Sequence, residues 1–266
     1  YGELIDFFSG LRDIKHKTIR VLHSLSFVED PTRVLRAIRF EQRFNFRMSK
    51  HTLHLIKSAV NMKLFDKLSG ERIYAELVLM FSEADPVKIL RRMNELNVLK
   101  AIHPGLKGTA DVERLFSHIG ETLTWFRLLY LDIKAEKWFV HFLGLLDRLK
   151  DTMAEEVLER LSVPSRVRER IKQARVRSRD VLYEFYRDTD LRPSRVYDLL
   201  QPLDIEPILL MMAKARQEAA KKYISLYLTR LRSVKVSLTG DDLKGMGIPP
   251  GPSYKKILAA LLDAKL

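Results

Sequence analysis

The chain has 266 residues, 46 % of them hydrophobic and 30 % charged, and no cysteine. That is enough apolar material for a sizeable core in two or three units, and it excludes a disordered chain, a disulfide framework, thiolate metal sites and a cysteine nucleophile. Lys and Arg number 47 against 34 Asp and Glu, so the net charge of +13 attracts polyanions such as nucleic acid or an acidic membrane surface.

The opening residues, YGELIDFFSGLRDIK, are not a signal peptide, and their short apolar alternation reads as a strand parted from its partners, which makes a missing upstream segment an expectation. No apolar run reaches the roughly 20 residues of a membrane span, so no membrane role is expected, and the lack of cysteine is compatible with a reducing cytoplasm. Beyond residue 28 the apolar spacing is helical almost throughout, which predicts an all-α fold. Helix starts are marked by Asp30-Pro31, Ser49, Ser69 and Asp85-Pro86, and the pattern breaks at His103-Pro104-Gly105. Further helices are predicted near 109–131, 135–150, 151–162, 165–186 and 192–203, then over EPILLMMAKA and from Gln217 to about Val234. Thr239 and Asp242 fit a capping box before a Pro- and Gly-rich turn and a last helix. Trp125, Phe126, Trp138, Phe139 and Phe142 are expected in the core.

The densest cluster of functional residue types is SFVEDPTRVLRAIRF, residues 26–40. At about 100° per residue, Val34, Leu35 and Ile38 form a buried stripe while Asp30, Arg33 and Arg36 step round one flank. A carboxylate only accepts hydrogen bonds and a guanidinium only donates them, so Asp30 beside Arg33 is a template with one acceptor end and one donor end. Adenine and cytosine both present an amino donor next to a ring-nitrogen acceptor and would fit. Guanine and uracil present the reverse polarity and would leave buried groups unpaired. From spacing alone the same residues also read as a surface ion pair with a capping aspartate.

EDPTRVLRAIRF resembles the EDPxRxxRAxRF signature of class II tRNA nucleotidyltransferases and bacterial poly(A) polymerases, members of the polymerase-β-like superfamily that add CCA or A to RNA 3′ ends. LIDFFSGLRDI resembles the segment that closes the family's catalytic head, with Gly10 and Asp13 at its hinge; GERIYAELVLMF resembles its neck motif; and LTGDDLKGMGIPPGPSYKKIL is similar to its tail. The resemblance implies that Asp30 and Arg33 bind the ATP or CTP base, that Arg36 supports the base or reaches its phosphates, that Glu29 orients the group, and that Glu71, Arg72 and Glu76 brace the base-reading helix. An ordinary i,i+4 pair between Arg72 and Glu76 is the plainer reading of the last two. It implies a division into the end of the head and hinge (1–28), a neck (29–105), a helical body (106–203) and an RNA-binding tail (204–266), with a short remnant of an α/β head at the start.

The family's heads carry a Gly-Ser turn and an Asp-x-Asp or Asp-x-Glu strand for two Mg²⁺ ions, and neither occurs here. Asp188 and Asp190 are expected to cap a helix, and His51 and His54 to lie on a helix surface, so no metal ligands and no catalytic residues are assigned within the chain. Arg168, Lys172, Arg175 and Arg179 recur at helical spacing in a stretch with seven basic and two acidic residues, which suits RNA phosphates or a solvated face. Lys214, Arg216, Lys221, Lys222, Arg230, Arg232 and Lys235 add charge toward the tail. The expected function is selection of a nucleotide and grip on the tRNA acceptor arm within an enzyme that adds C, A or both. The alternatives are a poly(A) polymerase and a non-catalytic helical RNA-binding module; oligomeric state is left open.

Overall fold

The computed structural model describes residue 2 and residues 5–266. Tyr1, Glu3 and Leu4, where the opening alternation and the LIDFFSGLRDI segment begin, lie outside the described residues. The first helices in chain order are α1 (Gly10–Lys15), α2 (Ser26–Glu29), α3 (Thr32–Phe44), α4 (Lys50–Asn61), α5 (Gly70–Ser82), α6 (Pro86–Glu95) and α7 (Val98–Ile102). They are followed by α8 (Ala110–Leu128), α9 (Lys137–Leu146), α10 (Asp151–Arg160), α11 (Ser165–Arg187), α12 (Pro193–Leu200), α13 (Ile205–Lys214), α14 (Glu218–Thr229), α15 (Gly240–Gly245) and α16 (Pro252–Lys265). The fold is all-α apart from two short parallel strands, Thr18–Ile19 and Arg47–Met48, paired Thr18 to Arg47 and Ile19 to Met48. Contacts divide the chain into one unit of Tyr1–Thr124 with Ile133–Lys172 and a second of Trp125–Asp132 with Gln173–Leu266.

The expected opening strand is not formed by residues 5–9. Asp6 instead turns its carboxylate onto the amides of Gly10 (2.8 Å) and Leu11 (2.9 Å), satisfying the orphan donors that start α1. The helix-start signals farther on behave as local chemistry dictates. Ser49 accepts from the Thr52 amide and Asp85 from the Lys88 amide, and Thr239 with Asp242 completes a capping box. Ser69 makes no such cap. At that end of α5, Gly70 is pressed on the turn that ends α10. A Cβ there would fall on the Arg160 carbonyl oxygen and lie 2.6 Å from the Leu161 carbonyl carbon. Because those atoms are backbone and cannot rotate away, Gly70→Ala is expected to cost about 2–3 kcal/mol, the upper part of the overpacking range, measurable by urea unfolding. A loss below about 0.5 kcal/mol would refute the close approach.

In the first unit α3 lies against α5 and α6, and α9 covers α5. Val34, Leu35 and Ile38 are fully buried, as the periodicity required, and so are Phe81, Phe116, Phe139 and Phe142. Tyr74 meets Trp138 and Phe142 edge-on at 6.1 and 6.0 Å, a favourable arrangement for aromatic quadrupoles. Of the aromatic residues expected in the core, Trp125 and Trp138 are only partly buried, keeping one edge at the surface.

His141 on α9 is fully buried, with Nδ1 against the Lys137 carbonyl at 2.9 Å, its ring 5.0 Å from that of Phe116, and no partner for Nε2. Burial outweighs the carbonyl contact and pushes its pKa down to about 4. The unfolded chain takes up that proton near its ordinary value of about 6.5, so the unfolded state binds more protons throughout the interval. Stability is therefore full above pH 6.5 and falls by about 3 kcal/mol as the pH drops to 4. Urea midpoints at pH 7 and 4.5 read this directly. His141→Phe is expected to flatten the acid limb, and equal slopes for the two proteins would refute the assignment.

The second unit has its own core of Phe185, Val196, Leu200, Leu209, Met211 and Ile224. Tyr223 accepts the Leu191 amide at 2.9 Å, and Tyr186 the Arg216 amide at 3.2 Å, so two phenols close backbone turns. The helix expected from Gln217 to about Val234 ends at Thr229, where the Thr229 hydroxyl bonds back to Ser225 and the chain turns into a 3-10 segment at Leu231–Ser233.

Candidate functional site

The start of α3 is a crowded polar junction. Asp30, in extended conformation between α2 and α3, accepts from the Thr32 amide (3.1 Å) and the Thr32 hydroxyl through Oδ1, and from Arg72 of α5 through Oδ2 (2.8 Å). Arg72 also donates to the Thr32 hydroxyl at 3.0 Å. Burial opposes the Asp30 charge, but the Thr32 and Arg72 hydrogen bonds outweigh it, so the carboxyl titrates below the ordinary aspartate range. Arg33 uses Nη1 alone, on the Ser26 carbonyl (3.2 Å) and Glu29 Oε2 (3.3 Å), and the same Glu29 oxygen lies 3.4 Å from His23 Nε2. Glu29 thus contacts both Arg33 and His23 through one oxygen. The surface ion pair that spacing allowed between Asp30 and Arg33 does not form, since each is held by other partners.

What remains unfilled defines the chemistry. A carboxylate has about four acceptor positions, and three hydrogen bonds occupy those of Asp30. Nε and Nη2 of Arg33 make no bond among the described residues, and Arg36, exposed one turn on, has no hydrogen bond or ion pair there. One acceptor and a two-nitrogen donor edge are thus presented from the same helix end.

Charged contacts run from α3 to α5 and α6. Glu76 pairs with the buried Arg39 at 3.2 Å rather than with Arg72, so neither member of the expected i,i+4 pair bonds the other; each reaches α3. Glu71 is exposed in the first turn of α5 and makes no hydrogen bond or ion pair with α3. Two partners went unseen in the sequence. Glu83 joins Arg39 (3.6 Å) and Arg43 (3.7 Å), and buried Glu41 binds Arg92 of α6 at 2.7 Å. Glu41 stands seven residues after Val34, on the apolar stripe itself, and a charge at that register signals a buried partner.

Of the residues expected at a hinge, Gly10 donates its amide to Asp6 and Asp13 pairs with Arg20 at 3.2 Å. In the first unit Arg168 and Lys172 both approach Glu155, at 3.4 and 3.0 Å; Arg175 and Arg179 belong to the second unit. Asp188 accepts the Asp190 amide at 3.0 Å, closing a turn. No group of three or more His, Asp or Glu that could hold a metal ion occurs among the described residues, and no helix there is long and apolar enough to cross a membrane.

A family profile described as "Probable RNA and SrmB- binding site of polymerase A" matches residues 45–108. The A-adding tRNA nucleotidyltransferase of Geobacter sulfurreducens is 47 % identical over 270 residues, taking in 100 % of this chain and 31 % of that protein. Among solved structures, a tRNA-processing enzyme is 33 % identical with a TM-score of 0.83, over 100 % of this chain and 70 % of its own. The Thermotoga maritima CCA-adding enzyme complexed with tRNA is 31 % identical with a TM-score of 0.78, over 98 % and 63 %. The chain spans less than a third of the length of the Geobacter protein.

Proposed function

Since the chain belongs to the tRNA nucleotidyltransferase and poly(A) polymerase family, we propose that it is the base-selecting and RNA-holding portion of an enzyme that adds A, or C and A, to tRNA 3′ ends. The carrying observation is the unfilled acceptor on Asp30 together with the unfilled Nε and Nη2 of Arg33. The carboxylate would accept the amino group of adenine or cytosine, and the guanidinium would donate to the adjacent ring nitrogen. Arg36 would meet the nucleotide's phosphates. Identity to an A-adding relative along the whole chain favours A addition, because the template by itself accepts adenine and cytosine alike.

Mg²⁺ belongs to the proposed activity of the whole protein, but the carboxylates described here do not fit it, and no phosphoryl-transfer step is derived from them. RNA contacts by Arg168 and Lys172, and separately by Arg175 and Arg179, are part of the proposal; Glu155 already neutralises part of the first pair. The direct test is equilibrium binding of the four nucleoside triphosphates to the chain. ATP and CTP should bind at least tenfold tighter than GTP and UTP, the discrimination expected of one bidentate polar contact. Equal binding of all four would refute the template.

A further inference from the structure

The charged flank of α3 does not end at Arg36. Arg33, Phe40 and Phe44 are seven and four residues apart, so at about 100° per residue they fall within roughly 20° of one line, with Arg36 and Arg43 beside it. Phe40 and Phe44 stack at 5.8 Å with 18° between their planes, and Phe46 continues the series 5.7 Å from Phe44. The placement of Phe46 is built into the helix end. Asn45 takes the left-handed conformation (φ 52°), its amide bonds to the Gln42 carbonyl at 3.4 Å, and the Phe46 amide reaches back to Glu41 at 3.0 Å, the paired bonds of a Schellman turn. The Arg43 guanidinium lies 5.6 Å from the Phe44 ring centre, and that of Arg39 lies 4.6 Å from Phe40.

Phe44 is 51 % exposed although every other aromatic ring in the series is at least partly covered. Beside it the Arg43 guanidinium shares its carboxylate, Glu83, with Arg39, while Arg36, two turns earlier on the helix, and Arg47, three residues later, are exposed and without an ion pair among the described residues. A half-bare aromatic face framed by cations suits one chemistry well. An unpaired nucleobase stacks on the ring whatever its identity, and its phosphates meet the guanidinium groups. A duplex, with its base faces internally stacked, has nothing to offer the ring.

We propose that Phe40, Phe44 and Phe46, with Arg43 and Arg47, form a stacking platform for an unpaired RNA strand running along the same face of α3 that reads the incoming base. This rests on the base-selecting reading of Asp30 and Arg33. Eleven residues of helix separate Arg33 from Phe44, about 16 Å at 1.5 Å per residue, a span that the short unpaired 3′ end of a tRNA crosses with its bases unstacked from one another. The platform therefore holds a base a few positions from the growing end, independent of its sequence.

The probe is a 5′-fluorescein oligo(A) 12-mer, single-stranded or as a blunt duplex with oligo(U), followed by anisotropy with the 266-residue chain. Phe44→Ala is expected to weaken single-strand binding about tenfold and to leave duplex binding unchanged. Phe44→Trp should retain the affinity and add an RNA-dependent quench of tryptophan fluorescence. Arg47→Gln should lower the single-strand salt slope by about 0.7, as loss of one phosphate contact requires. Phe44 is half-exposed at the end of α3, and matched circular dichroism and thermal midpoints establish that the variants fold. The platform is overturned if the parent binds no single strand, if Phe44→Ala binds it as the parent does, or if single strand and duplex lose affinity equally. Triphosphate preference measured on Phe44→Ala keeps the two readings apart. Retained preference in the variant with lost RNA binding supports the platform, and absent preference in a parent that still binds the single strand through Phe44 sinks only the base template.

Discussion

Arg92→Ala is expected to destabilise the chain by about 3–5 kcal/mol, as removal of one partner from a buried ion pair does. Glu41 is almost completely buried on the inner stripe of α3. Its Oε2 accepts Arg92 Nε at 2.7 Å and the Gln42 amide at 3.2 Å, and its Oε1 accepts Arg92 Nη2 and the Met48 amide at 3.2 and 3.0 Å. Burial works against the Arg92 charge, but Glu41 and Glu95 outweigh it and raise the guanidinium pKa. Removing Arg92 leaves a carboxylate in the core with two neutral donors and no countercharge. Glu41→Gln in the Arg92→Ala background should recover a substantial part of the loss, because the amide oxygen can still accept from Met48 without a charge to bury. Urea unfolding of the two variants decides it. A loss below about 1 kcal/mol for Arg92→Ala would mean that water reaches Glu41.

The second large effect is on selection. In a chimera that places these 266 residues in the matching segment of the Geobacter enzyme, Arg33→Ala is expected to lower kcat/KM for ATP relative to GTP by about 10²-fold. The loss arises because guanine, whose ring N–H would face the guanidinium, is no longer repelled, while adenine forfeits the donor to its ring nitrogen. Single-turnover incorporation of the two nucleotides on a CC-ended tRNA measures the ratio. An unchanged ratio would remove Arg33 from base reading. Glu29→Gln should act in the same direction more weakly, since it loosens Arg33 without removing it.

The elements made by short-range chemistry were legible in the sequence. The stripe of Val34, Leu35 and Ile38, the caps at Ser49 and Asp85 and the Thr239–Asp242 box each depend on residues within about one or two turns of one another. Of the contacts that hold α3, the resemblance pointed to Arg72 and Glu76 but not to their partners Asp30 and Arg39, and nothing pointed to Glu41 with Arg92, because the partners stand 37 to 51 positions away. Periodicity places a charge on a helix face but does not say which distant charge answers it. At the candidate site, residue types pointed to a donor and an acceptor. Only the geometry shows how much of each is left over once Thr32, Arg72, Ser26 and Glu29 have taken their share. Ser69 shows the converse, a cap signal overridden by the close approach of Gly70 to the end of α10.

The three cross-helix ties of α3 fall unevenly on the two ends of the template, and this bears on how base preference can change over generations. Arg33 lies on the exposed side and bonds only to its own short neighbourhood, so its replacement touches none of the ties to α5 and α6. Asp30 shares Arg72 with Thr32, and loss of its carboxylate leaves that guanidinium only the Thr32 hydroxyl at the start of the helix. If Asp30 and Arg33 read the base as proposed, drift in nucleotide choice can proceed at the donor end at little cost to folding, while a change at the acceptor end also disturbs Arg72.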